Sequence, residues 1–387
     1  MLSLRNSFLA LALMFICALP SRAQNPLISG DSLMLVENEL KKLGKNVNFT
    51  IVPGPVYGAT QKLGFMVLPM IVYDLNRQDK LSPPSSTGVM LYFDFYGSWQ
   101  LAAKQSLYWN QNKWRAFAST GGGKMQLKFF GIGRDTVIVS NDESNYIWTT
   151  GTDAVFSTSC YRKIVSGFYG GLEYAYTYSF IEAGDSAGTV KLESNGIHAG
   201  EKLSESILVP TFVWDNRNNI FWTTKGYYAS LDLQFSNQLF FSDKNYGIIT
   251  GKVSGYHKLI RNSEKLSLAW HFYLQAGWGD LPYSRYANYG HGDNAVGYTR
   301  GKYIDNSEFS AQTELRYDLW KFISIGGYAG TGKVYPSLDK VWKSVWLHFG
   351  GLRAYVNILP SRNIRLRLDI AVARKDWGFY VGMGQGF

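Results

Sequence analysis

The sequence predicts an all-β protein: a sixteen-stranded antiparallel transmembrane β-barrel behind a short amino-terminal periplasmic segment. Three observations predict it. In the last stretch, residues 377–387, Phe379, Val381, Met383 and Phe387 form an apolar stripe broken only by Gln385. Tyr380, Gly382, Gly384 and Gly386 stand between them. That period of two belongs to a strand with unlike faces and not to a helix. Next, the chain opens with an export signal but contains no other apolar run of about 18 residues, so any membrane crossing falls to strands. Finally, aromatic residues make up 16% of the chain and charged residues only 18%. Tyrosine and tryptophan are amphipathic and suit the two faces of a bilayer. An open final strand would expose unpaired backbone groups, and pairing it with the first strand removes that edge. A soluble sandwich is the competing architecture for the same alternation.

Residues 1–23 form the signal. Arg5 supplies the positive start, 8–19 the apolar core, and Ser21-Arg22-Ala23 a small-x-small cleavage site. Its removal takes Arg5 and Arg22 with it and lowers the net charge from +10 to +8. It also leaves Cys160 as the one cysteine, which excludes an intrachain disulfide and a cysteine-based zinc site. Residues 24–46 hold one helical pattern, 31–43, with Asp31 or Ser32 as its cap and Gly44 as its stop.

Residues 47–387 then read as the barrel. Strands are expected at 63–74 and 88–97, separated by the turn-rich 76–86, and at 100–109 and 114–121. Residues 124–150 should hold one more, near 125–131 or 145–150. The rest are expected at 154–163, 168–180, 207–215, 226–235, 247–259, 265–278, 309–320, 323–334, 345–358, 364–374 and 377–387. An even count with tight turns at 261–263 and 360–363 and a long Gly/Tyr/Asn-rich loop at 279–307 suits an outer-membrane barrel, with the tight turns periplasmic.

Five pieces of this sequence resemble the barrel of the BamA/TamA superfamily, the bacterial surface antigen family. They are 48–55 with Leu63-Gly64-Phe65 as the lead-in to strand one, Phe129-Phe130-Gly131-Ile132-Gly133, Trp214-Asp215-Asn216-Arg217-Asn218-Asn219 with Lys225-Gly226, Gly350-Gly351-Leu352-Arg353, and the aromatic carboxy-terminus. The resemblance covers nearly all of 47–387 and is closest to Bacteroidetes-type members. It implies an outer-membrane insertion or translocation factor with a lateral seam and a loop folded into the lumen. It also implies outer-membrane lipids, and periplasmic or outer-membrane assembly proteins, as partners. The family's POTRA domains cannot fit in 24–46, so the resemblance is to members lacking them.

By the same resemblance the lumen loop and its acidic partner map to Gly297, Tyr298, Arg300, Gly301, Tyr303, Glu314 and Arg316. The seam maps to Gly64, Phe65, Gly382, Gly384, Gly386 and Phe387. The chain departs from the family at three places. The signature arginine aligns with Val296, leaving Arg300 as its substitute opposite Glu314. A second acidic position is Gly330, and a proline in the 215–226 hairpin is Thr223. The alternative function is a passive pore or structural barrel without insertase activity.

Catalysis finds little support. His198, His257, His271, His291 and His348 show no metal-ligand spacing, and no G-x-S-x-G element occurs. Gly121-Gly122-Gly123-Lys124 lacks the spacing and following helix of a phosphate loop. Asp215 and Arg217, two apart, read as turn stabilisers. The sequence therefore predicts a non-enzyme with no cofactor and no metal. Lacking any Lys/Arg-rich run, it also predicts no nucleic-acid partner.

Overall fold

A computed structural model describes residues 47–58, 62–133, 146–290, 294–360 and 363–387. The expected signal, helix and periplasmic tail lie outside these residues. Among the described residues sixteen strands close into one antiparallel barrel. They are β1 (Val47–Gly58), β2 (Lys62–Tyr73), β3 (Ser85–Asp94), β4 (Trp99–Trp109), β5 (Trp114–Phe129), β6 (Ile147–Val165), β7 (Phe168–Ala183), β8 (Leu203–Asp215), β9 (Gly226–Ser236), β10 (Tyr246–Ile260) and β11 (Ser263–Gly279), then β14 (Ser307–Asp318), β15 (Ile323–Tyr335), β16 (Leu347–Leu359), β17 (Ile364–Ala373) and β18 (Asp376–Met383). Helix α1 (Ser186–Ser194) lies between β7 and β8. The short strands β12 (Ala287–Tyr289) and β13 (Tyr303–Asp305) pair with each other inside the β11–β14 loop.

Alternation sets which face each strand shows to the lumen. In β14, Glu308, Ser310, Gln312, Glu314 and Arg316 are buried, whereas Leu315 and Tyr317, on the alternate positions, are exposed. Phe212 and Trp214 of β8, Ile323 and Ile325 of β15, and Ile370 and Val372 of β17 are likewise exposed. The arrangement is polar inside and apolar outside, the reverse of a soluble core and the demand of a barrel in lipid.

The two rims differ. Tight connections at 110–113, 166–167, 261–262, 319–322 and 360–363 share one rim with the start of β1 and the end of β18. Asn110, Gln111 and Asn112 all take the left-handed conformation to turn the chain there. Strands β5, β7, β9, β11 and β15 end at the other rim. We call these the turn rim and the loop rim.

Two strand expectations need correction. No separate strand lies between 121 and 154: residues 125–129 end β5, residues 147–150 begin β6, and Phe129 pairs with Ile147 in one long hairpin. The first strand is β1, within a segment expected only to lead into the barrel. Pro53 and Pro55 obscure its strand character because neither can donate to a ladder. These two differences cancel in the count of sixteen.

Candidate functional site in the lumen

The β11–β14 loop folds into the barrel and lies on the inner wall of β15–β18. Ala295, Val296, Tyr298 and Tyr303 of the loop share an apolar cluster with Tyr328, Phe349 and Ala371 of the wall. Aromatic rings supply large contact area, and their hydroxyls end on backbone acceptors. Tyr298 Oη donates to the carbonyl of His348 (2.6 Å) and Tyr289 Oη to that of Leu347 (2.9 Å). Close approach demands glycine at two points. At Gly297 a Cβ would sit 3.3 Å from the side chains of Ala371 and Ala373, and at Gly301 2.6 Å from the carbonyl oxygen of Lys128. Both have positive φ.

Polar anchors complete the docking. Lys302 Nζ meets Asp376 Oδ2 at 2.9 Å, and Thr299 donates to the same carboxylate from its N–H and hydroxyl (3.3 and 3.2 Å). Gly297 N donates to Tyr380 Oη (3.3 Å) and Gly301 N to Asn288 Oδ1 (3.1 Å). Sequence reasoning passed over Lys302 and Asp376, which come together only when the loop lies across the β17–β18 turn.

Glu314 is fully buried, but Arg300 is not its partner. Tyr355 Oη donates to Glu314 Oε1 (2.5 Å), while Arg353 Nη1 and Arg316 Nη2 hold Oε2 at 2.9 and 3.0 Å. Arg353 Nε continues to Asp369 (3.4 Å), which Arg367 Nε also meets (3.0 Å). This alternating chain of charges welds β14, β16 and β17 together on the lumen side. Arg300 is buried elsewhere. Burial pulls its guanidinium below the ordinary range, with Tyr283 and Asp153 opposing. The wall strands themselves supply the cations that Glu314 needs.

The seam also departs from expectation. β18 pairs with β1, with Tyr57 opposite Phe379, and a Cβ on Gly54 would lie 3.3 Å from Val381 Cβ. Gly64 and Phe65 are on β2, opposite Asp94 and Phe93 of β3, one strand in from the seam. Gly382 is on β18, but the strand ends at Met383. Gly384 takes a positive φ and the chain turns inward. Phe387 then stacks on His271 (5.3 Å between centroids), and its carbonyl accepts from Tyr256 Oη (2.9 Å). Gly386 packs against Arg353. Gly384, Gly386 and Phe387 thus belong to the lumen.

The model of the Omp85 superfamily domain matches residues 88–341. The chain belongs to the Omp85 superfamily. As an Omp85 barrel it is similar to BamA from Haemophilus ducreyi lacking POTRA domains 1–3, with 12% identity and a TM-score of 0.53 over 94% of this chain and 80% of that one. It is also similar to CdiB from Acinetobacter baumannii, with 12% identity and a TM-score of 0.57 over 88% of this chain and 60% of that one. CdiB from Escherichia coli matches at 9% identity and a TM-score of 0.52, over 91% and 69%. At such identities the likeness is one of fold. Comparison with curated proteins returns no match. The family and the barrel neighbours indicate the outer membrane.

Within the family frame, the departures at 296 and 330 occur together. Val296, aligned with the signature arginine, is 7% exposed inside the apolar cluster. At Gly330, aligned with the second acid, a Cβ would lie 2.3 Å from the Phe349 ring. Where the resemblance implies an ionic pair, positions 296 and 330 of this Omp85 barrel are packed by apolar groups, and the loop's ion pair is Lys302–Asp376.

Proposed function

We propose that this Omp85 barrel is a non-enzymatic outer-membrane factor that assists insertion or translocation of proteins or lipids through the β1–β18 seam. Outer-membrane lipids and periplasmic or outer-membrane assembly proteins are its proposed partners, and its turn rim is taken as periplasmic. The observation that carries this reading is how thin the seam is. β18, with eight residues, is the shortest barrel strand. β1 contains Pro53 and Pro55, two residues apart, so two ladder donors are missing on one of its sides. A barrel otherwise closed by long ladders is weakest there.

The second reading is a structural barrel that has lost the insertase cycle, and Val296 at the arginine position favours it. An open passive pore fits less well, because the β11–β14 loop occupies part of the lumen against the inner wall of β15–β18. A disulfide lock separates the readings. Cβ atoms at positions 54 and 381 would lie 3.3 Å apart, so a separation of a few tenths of an ångström brings Gly54→Cys and Val381→Cys, in a Cys160→Ser background, into the disulfide range of about 3.5–4.5 Å. The oxidised lock is expected to block growth or deplete other outer-membrane proteins, with recovery on reduction. Locked cells that behave as wild type, while deletion of the protein has a phenotype, would overturn the seam mechanism.

A further inference from the structure

The connection between β8 and β9, residues 216–225, plays no part in the seam reading. It leaves the turn rim, crosses the lumen and lands on the opposite wall. Trp222, 5% exposed, is seated there: its ring centroid is 4.7 Å from that of Tyr355 on β16. The guanidinium carbons of Arg365 and Arg316 lie 3.8 and 4.9 Å from that ring. Arg316 Nη1 donates to the carbonyl of Thr223 (3.3 Å), and Thr223 N–H donates to Gln385 Oε1 (3.0 Å).

The segment is a preformed strap. Asn219 Oδ1 accepts from the N–H groups of Phe221 and Trp222 (2.8 and 2.9 Å), and Thr223 Oγ1 donates to the carbonyl of Asn219 (2.6 Å). Asn218 Oδ1 accepts from Thr224 and Lys225 N–H, both at 3.1 Å. At its base Asp215 is held by Arg115 and Arg217, each at 2.9 Å.

Two cavities meet at the strap. A lumenal chamber of about 850 Å³ lies on one face, its wall carrying Lys104, Glu173, Asp232 and Lys252. A pocket of about 340 Å³ lies on the other, lined by Pro83, Pro84, Asn112 and Asn363 of the turn rim. Ile220 and Phe221 border both.

We propose that residues 216–225 are a lid that closes a polar-solute chamber at the turn rim, latched by the inturned carboxy-terminal segment. The latch uses a backbone N–H at 223 that a proline, which the family resemblance places there, does not possess. Gln385 follows β18 by two residues, so displacement of β18 pulls the acceptor from the lid. The lid is thereby coupled to the seam.

Conductance of small ions through the purified full-length protein in planar bilayers tests this. Trp222→Ala unseats the lid and Thr223→Pro removes the latch donor. Each is expected to raise the open fraction about tenfold or more, Trp222→Ala by losing the ring's packing on Tyr355 and its cation–π contacts and Thr223→Pro by losing the buried hydrogen bond to Gln385. Lys225→Ala, at an exposed side chain, is expected to conduct as wild type. Folding is checked by heat-modifiable migration, and Thr223→Pro, which leaves Trp222 in place, decides the matter if Trp222→Ala does not fold. The oxidised 54–381 lock is expected to suppress openings of the wild type but not of Trp222→Ala. Folded lid variants that stay as closed as wild type overturn the lid. Wild-type openings indifferent to the lock overturn its coupling to the seam, and that arm alone depends on the seam reading.

Discussion

At the scale of single residues, the lumen shows one interaction exchanged for another. An arginine-to-acid lock needs a cation on the loop and an unspent acid on the wall. Here the loop presents Val296, and the wall's Glu314 is already satisfied by Arg316, Arg353 and Tyr355. Phe349 fills the space that glycine leaves at position 330. Restoring the family residue alone should therefore do harm. Val296→Arg places a guanidinium among Tyr328, Phe349 and Ala371, and an unpaired buried charge costs several kcal/mol. Hydrogen exchange of residues 294–306 is expected to accelerate strongly in Val296→Arg and little in Val296→Leu. Slower exchange in the arginine variant would mean that the wall still offers an acid to the loop.

At the scale of elements, the docked loop carries its own pH dependence. Asp305, in the β12–β13 ribbon, is pushed up to about 6 by burial, against the Asn306 N–H and Lys340. A carboxyl raised in the docked state contributes to docking fully below its free value of about 4, and loses that contribution as pH rises through about 6. After correction for intrinsic rates, loop amides are expected to exchange more slowly at pH 5 than at pH 8. Asp305→Asn should flatten that difference, and its persistence in the variant would assign it to another group. The strands themselves were largely legible, because alternation is local: residues 309–320 announce β14 without help from the rest of the chain. β1 was hidden by Pro53 and Pro55, each of which removes a ladder donor. The lid was hidden for another reason. Trp214-Asp215-Asn216-Arg217-Asn218-Asn219 has the composition of a turn, and Tyr355, Arg365 and Gln385 on its landing site lie more than 130 residues away. Glu314 was expected opposite Arg300 but meets Arg316 and Arg353, and Arg353 reaches it only through strand pairing.

At the scale of the molecule, the barrel is inside out, and its stability has to come from that reversal. The lumen holds a chain of buried charges that no soluble sheet face would tolerate without partners, while Leu352, between Gly351 and Arg353 on β16, is 68% exposed. Adjacent residues on one strand thus face opposite solvents. Arg353 is sustained by Glu314 and Asp369, whereas Leu352 has only lipid to meet. Leu352→Arg moves a guanidinium from the kind of site that accepts it to one that does not. The expected loss, measured by urea unfolding from lipid vesicles, is about 2–4 kcal/mol if the position lies near the bilayer midplane, and less toward either rim. Leu352→Ala should cost far less. In a soluble barrel the difference would vanish, since an exposed arginine in water is harmless and an exposed leucine gains nothing. Equal stability of Leu352→Arg and wild type in vesicles would therefore place this face in water and remove the membrane from the account of the fold.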